Sequence, residues 1–151
     1  MNVLAPTRTV TEEEPFGWYQ RILRPLLFQF DPESVHEFAL QAMHLGGNPF
    51  IQPFVQALYG FEDQRLAIRL FGRVFPNPLG LAAGFDKNAV ALPFLSALGF
   101  GHIELGTVTP RPQQGNPRPR IFRLPQDRGV INRMGFPSQG VDAVLEHLPS
   151  Q

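Results

Sequence analysis

Two short apolar runs constrain this chain more than any other feature. Leu79-Gly80-Leu81-Ala82-Ala83 is almost continuously apolar, and His102-Ile103-Glu104-Leu105-Gly106-Thr107-Val108 follows one helix-length later. Pro76 and Pro78 lead into the first run, and Gly84 ends it. A run of this kind is what a parallel strand covered on both faces looks like. Between the two runs, residues 89–98 predict a helix, with Pro93 in its first turn and Gly99 just past its end. Strand, helix, strand in that order predicts a βαβ unit with a right-handed crossover. Parallel α/β barrels keep their chemistry just beyond the carboxyl ends of such strands. A lysine (Lys87), a threonine (Thr107) and an asparagine (Asn132) at three such places suggest a site for a polar, anionic ligand.

The first half of the chain has a different period. Residues 1–14 are polar and aperiodic, which predicts a disordered lead-in. Phe16, Tyr19, Leu23, Leu26 and Phe30 recur at helical spacing, with Pro25 placed to kink or break the helix. Asp31-Pro32-Glu33 is a helix start, with a cap residue, a proline and an acid in the first turn. Val35, Phe38, Ala39, Ala42 and Met43 form its apolar stripe, and Gly46-Gly47 ends it. Asn48-Pro49 repeats the start signal for a third short helix carrying Phe50, Ile51, Phe54, Val55 and Leu58, closed by Gly60. The period then changes to two: Leu66, Ile68 and Leu70 predict a strand, and Phe71-Gly72-Arg73-Val74 a hairpin turn with glycine at the first central position. Beyond the βαβ unit, residues 109–120 hold four prolines and read as an irregular loop. Ile121–Leu124 and Val130–Ile131 predict a small hairpin, and Val141, Val144, Leu145 and Leu148 a last helix.

Composition narrows the functions open to such a chain. The net charge is +0, so bulk attraction to nucleic acid or to acidic lipid is not implied. There is no cysteine, which removes disulfides and thiolate metal sites. The four histidines show no ligand spacing. No apolar run approaches the roughly 20 residues that span a bilayer. The chain starts without the apolar segment of a signal peptide, and Glu12-Glu13-Glu14 argues against a transit peptide.

Each candidate residue has a plain reading beside the functional one. The surplus phenylalanine of the first half fits an ordinary helical subdomain, or a helical pair whose apolar face docks on a membrane or encloses an apolar ligand. Lys87 fits a surface charge, or a cation aimed at a carboxylate or an electron-rich ring, with Gly84 allowing close backbone approach. Thr107 fits a β-branched strand residue, and Asn132 a turn residue. Residues 111–133 carry six arginines against one acid, Asp127. Such a stretch could bind nucleic acid, but it lacks interleaved aromatics beyond Phe122.

Taken in order, several motifs are more specific than their parts. Asn77-Pro78-Leu79-Gly80-Leu81-Ala82-Ala83-Gly84-Phe85-Asp86-Lys87 resembles the first barrel strand of the dihydroorotate dehydrogenases. Glu104-Leu105-Gly106-Thr107-Val108-Thr109-Pro110-Arg111-Pro112-Gln113 is similar to the second-strand motif of that family. Gly115-Asn116-Pro117-Arg118-Pro119-Arg120-Ile121-Phe122-Arg123-Leu124-Pro125 and Ile131-Asn132-Arg133-Met134-Gly135-Phe136 continue the resemblance in register. From Phe16 onward the order resembles the membrane-associated, quinone-using class. Pro137 departs from it, standing where relatives commonly carry asparagine.

The resemblance implies an α/β fold: an incomplete TIM (β/α)8 barrel, its first βα units, preceded by a small N-terminal helical domain. Residues 15–62 would form the helical membrane and quinone-tunnel domain, and residues 63–151 the first part of an FMN-binding barrel. A complete barrel needs roughly 250 residues, so the isolated chain is expected to be marginal or unstable. The implied reaction oxidises dihydroorotate to orotate in pyrimidine synthesis, with FMN as cofactor and quinone as electron acceptor. The implied location is peripheral, on the cytoplasmic side of the inner membrane. By resemblance, Ala83, Gly84, Phe85, Asp86, Lys87 and Thr107 line the flavin, mainly through backbone. Lys87, Asn132, Arg133, Met134, Gly135 and Phe136 meet the substrate. No metal and no nucleic acid are implied. The family's serine base is expected later in the barrel, so no catalytic residue is assigned here. The alternative reading is a non-enzymatic helical module that binds membrane surfaces.

Overall fold

The computed structural model describes residues 17–148. The expected lead-in at residues 1–14 lies outside the described residues, as does Phe16. The chain divides into two compact units, Met1–Asp31 and Pro32–Gln151.

In the first unit a π-helical turn, Tyr19–Leu23, runs into the short helix α1, Arg24–Leu27. Pro25 does not break the helix; it sits in the first turn of α1. The widened turn before it, closed by Arg24 N–H to the Tyr19 carbonyl, ends where proline has no N–H to give. The Arg24 guanidinium lies 4.9 Å from the Phe28 ring centroid and donates to Gln20 Oε1 at 3.0 Å.

The second unit opens with helix α2, Pro32–Gly46, whose start and end follow the sequence signals. Helix α3, Gln52–Tyr59, begins later than expected. Asn48 Oδ1 accepts the N–H groups of Phe50 and Ile51, making a capped turn before the helix proper. A 3-10 turn, Gln64–Leu66, leads to the hairpin of β1 (Ile68–Leu70) and β2 (Arg73–Phe75). Leu70 pairs with Arg73, so the central turn residues are Phe71 and Gly72, both at positive φ. Glycine is therefore second, not first as expected, and the left-handed pair matches the twist of the hairpin.

Strands β3 (Gly80–Leu81) and β4 (His102–Ile103) pair in parallel, and helix α4 (Leu92–Ala97) crosses between them. This is the βαβ unit that the two apolar runs predicted. Both strands are shorter than their runs, because among the described residues each has only the other as a partner. Helix α4 is also shorter than residues 89–98. Asp86 binds the N–H groups of Val90 and Ala91, and Ala89 stands at positive φ, so a capped loop occupies the expected first turn. Strands β5 (Ile121–Leu124) and β6 (Gly129–Asn132) form the second hairpin, and α5 (Val141–His147) follows.

The apolar core is small: Val55 of α3, Leu95 and Ala97 of α4, Val144 of α5, and Ala89 and Ala91 of the loop before α4. A buried ion pair adds to it. Arg120, just before β5, reaches Glu33 in the first turn of α2, with Nη2 2.5 Å from Oε1 and Nε 3.0 Å from Oε2. Arg118 also reaches Glu33, at 3.1 Å.

Leu95→Ala is expected to lower stability by about 2–5 kcal/mol, read as a lower urea midpoint with an unchanged slope. Arg120→Ala leaves the buried Glu33 carboxylate to Arg118 alone and should cost up to about 3–5 kcal/mol. Hydrogen bonding to Arg120 holds the Glu33 carboxyl below its ordinary value, and burial works against that. The unfolded chain takes up this proton at higher pH than the folded one. The pair's contribution is complete above the ordinary carboxylate value and is lost as pH falls through the lowered native one. Urea midpoints should drop on acidification, and Glu33→Gln should remove part of that slope.

Candidate functional site

The parallel pairing of β3 with β4 sets the position of the loop after β3. Gly84 stands at φ +102, which lets the chain turn sharply after the strand. Asp86 is buried, and both its carboxylate oxygens are spent on the amides before α4. The loop is thus fastened from beneath, and Lys87 is held beside the end of the second strand. Gly106 is required there, since a Cβ on it would lie 2.9 Å from Lys87 Cγ and 3.1 Å from Lys87 Cα.

Lys87 Nζ donates to the Gly84 carbonyl at 3.0 Å and lies 3.6 Å from Met134 Sδ. Neither partner is charged, and among the described residues Lys87 forms no ion pair. Burial holds its pKa below the ordinary lysine value; the Glu33 carboxylate pushes it up, and Arg120 pushes it down. A half-buried ammonium without a carboxylate favours an anionic ligand in the adjoining space. That space is an open hollow of about 610 Å³, lined by Lys87, Phe85, Met134, His36 and Asn116 among others.

One wall of the hollow comes from α2 and from the loop before β5. Arg120 Nη1 donates to the carbonyls of Gln114 (2.5 Å) and Asn116 (2.9 Å). Asn116 in turn holds the loop after β6: its Nδ2 donates to the Arg133 carbonyl at 2.6 Å, and its N–H to the Met134 carbonyl at 2.9 Å. His36 stands edge-on to Phe85, with ring centroids 5.2 Å apart. Burial, followed by the charge of Lys87, holds the His36 pKa below its ordinary value, which favours the neutral imidazole.

Of the residues singled out from sequence, Phe85, Lys87 and Met134 line this hollow together. Ala83, Gly84, Asp86, Thr107, Asn132, Arg133, Gly135 and Phe136 do not line it. Thr107 lies beyond the paired part of β4 and is exposed, as are Ala83 and Phe136. Asn132 Oδ1 accepts the Met134 N–H at 3.4 Å, and Arg133 Nη2 donates to the Pro119 carbonyl at 3.1 Å. Pro137 is half-buried in the wall. Sequence reasoning did not single out Glu33, His36, Asn116 or Arg120 as site residues. The signal for Glu33 and Arg120 was available in kind, an acid in the first turn of a helix and an arginine cluster, but their pairing spans 87 positions.

A family model described as dihydroorotate dehydrogenase matches residues 65–151. The dihydroorotate dehydrogenase (quinone) of Roseiflexus sp. strain RS-1 is 52% identical over 128 residues, covering 84% of this chain and 36% of that protein. That of Acidithiobacillus ferrooxidans is 55% identical over 128 residues, covering 84% and 35%. The crystal structure of DHODH from Eimeria tenella in complex with ferulenol matches with a TM-score of 0.65 and 44% identity, over 78% of this chain and 29% of that one. The chain spans about a third of the length of the curated relatives it matches. These neighbours carry an α/β fold of the TIM-barrel type, in keeping with the parallel βαβ unit seen here. With more than half of its residues inside the family model and about half of its aligned residues identical to such relatives, this chain belongs to the dihydroorotate dehydrogenase family.

Proposed function

We propose that this chain provides part of a quinone-dependent dihydroorotate dehydrogenase, which oxidises (S)-dihydroorotate to orotate in pyrimidine nucleotide synthesis and passes the electrons to quinone. The observation that carries this reading is Lys87. It is a half-buried cation after a parallel strand, at a hollow shared with Met134, with no carboxylate paired to it among the described residues. Its ammonium suits the carboxylate of dihydroorotate.

The residues present fit FMN. A Cβ placed on Gly84 would meet nothing within 4 Å, so the backbone there is open to close approach. Ala82, Ala83 and Thr107 are small and exposed at the ends of the parallel strands. Ala83, Gly84, Phe85, Asp86, Lys87 and Thr107 would hold the cofactor, with Asp86 contributing backbone because its carboxylate is occupied. When bound, FMN would supply the hydride-accepting and electron-passing chemistry. This chain's residues bind and orient. Lys87, Asn132, Arg133, Met134, Gly135 and Phe136 would meet the substrate, and the long Asn132 to Met134 bond is one that a ligand could replace. No base is assigned among them, so the 151-residue chain should bind without turnover.

In this reading residues 15–62 form the helical membrane and quinone domain, and residues 63–151 the first βα units of the barrel. The exposed Phe38 and Leu45 of α2 and Phe54 and Leu58 of α3 support peripheral docking on a membrane surface; the cytoplasmic side of the inner membrane is the location this reading assigns. No described helix is long and apolar enough to cross a membrane. The same exposed residues favour a second reading, in which the helices act only as a membrane-surface module.

Orotate binding to the FMN-supplied chain, measured by calorimetry, should weaken about tenfold or more in Lys87→Gln, the scale of a lost charge-assisted hydrogen bond. Binding should also fade as pH rises through the depressed Lys87 pKa, because the neutral amine no longer attracts a carboxylate; equal affinity for the variant would overturn the assignment. Liposome flotation should carry the chain upward, and Phe54→Ser with Leu58→Ser should reduce the floated fraction. Flotation without any FMN binding would favour the helical module.

A further inference from the structure

Glu33 and Arg120 stand in the wall of the hollow and are both almost fully buried, at 4% and 7% exposure. A buried ion pair is weak evidence for stability, since apolar residues of similar volume often do as well. The connections of this one reach toward Lys87. Arg120 divides its donors, with Nε and Nη2 on the Glu33 carboxylate and Nη1 on the carbonyls of Gln114 and Asn116. Asn116 then binds the carbonyls of Arg133 and Met134, and the Met134 sulfur lies against the Lys87 ammonium. Polar contacts thus lead from the first turn of α2 to the backbone of Met134, and its side chain carries the connection on to the cation of the site.

We propose that Glu33 and Arg120 are positioning residues: paired in the wall, they fix the backbone of residues 114–116 and, through Asn116, seat Met134 against Lys87, so that α2 helps to determine where the ammonium meets an anionic substrate. The proposal rests on the assignment of Lys87 as the substrate-binding cation. Charge supports the same connection. Arg118 bridges Glu33 and Glu37, and Arg120 pairs with Glu33, so two acids and two arginines balance one another. Lys87 is left as the uncompensated cation at the hollow. Glu33 favours its protonated form and Arg120 opposes it. The other ionisable groups around it are His36 and Glu37 on α2, Arg118 before β5, and Asp86 in its own loop.

Lys87 is the only lysine in the chain, so labelling with 13C-lysine gives a single Cε resonance to titrate. In the full 151-residue chain, Glu33→Gln should move the Lys87 midpoint down, and Arg120→Gln should move it up. Loss of packing alone has no reason to shift it in opposite senses. Unchanged midpoints, or shifts in one direction for both, would overturn the proposal. Should either variant fail to fold, Asn116→Ala removes the exposed amide link and leaves the ion pair intact. The proposal then expects a weaker nuclear Overhauser effect between the Met134 methyl group and Lys87 Cε protons, with circular dichroism retained. An undiminished effect would sink it. Neither readout needs a ligand, so orotate affinity in Lys87→Gln reads the underlying assignment separately. Retained affinity there would remove that assignment, and with it the pair's part in substrate placement.

Discussion

Everything at this site depends on one short parallel pairing. Gly80 pairs with His102 and Leu81 with Ile103. Parallel strands must be joined by a crossover, and here the crossover is α4, preceded by the loop that carries Lys87. The pairing brings the end of one strand beside the loop that leaves the other. Gly106 then lies against the Lys87 stem, too close for any side chain. A larger residue there would displace the lysine even if both strands formed normally. The ladder itself is only two residues long on each strand, so it gains support from elsewhere: Asp86 within the loop, Leu95 on the buried face of the helix, and Asn77, whose side chain binds the Gly99 carbonyl and the Leu79 amide.

Local signals carried far in this sequence, and long-range ones did not. The order of strands and helices followed from prolines, glycines and the change of period, because these act within a few residues. The βαβ unit was legible for the same reason, since its chemistry is strand, helix, strand. Lys87 and Met134 were both singled out from the sequence, and the hollow brings them together. Element ends were less so. Residues 89–91 have a helical pattern, but Asp86 captures two of their amides, and that competition depends on geometry rather than periodicity. The turn at Phe71-Gly72 slipped by one residue, because sequence alone does not say which pair of positions takes the left-handed conformation. The wall of the hollow was not legible. Glu33 and Arg120 meet only after α2 packs against the hairpin that begins at β5, and nothing local to either residue announces the other.

The division of labour among the cations follows from their chemistry. The chain has twelve arginines and one lysine. The two arginines that line the hollow are spent on planar acceptors: carboxylates for Arg118 and Arg120, and backbone carbonyls for Arg120. A guanidinium suits that work, since its fixed fork can bind several oxygens at once. Lys87 instead carries a compact charge on a flexible stem, and its partners are one carbonyl and a thioether. A thioether accepts weakly, so that contact holds the ammonium less firmly than a carboxylate would. The same series of contacts that makes Arg120 a fixture of the wall keeps its charge occupied and leaves the lysine as the group with attraction to spare. In a neutral chain rich in arginine, local pairing rather than net charge decides which cation can bind.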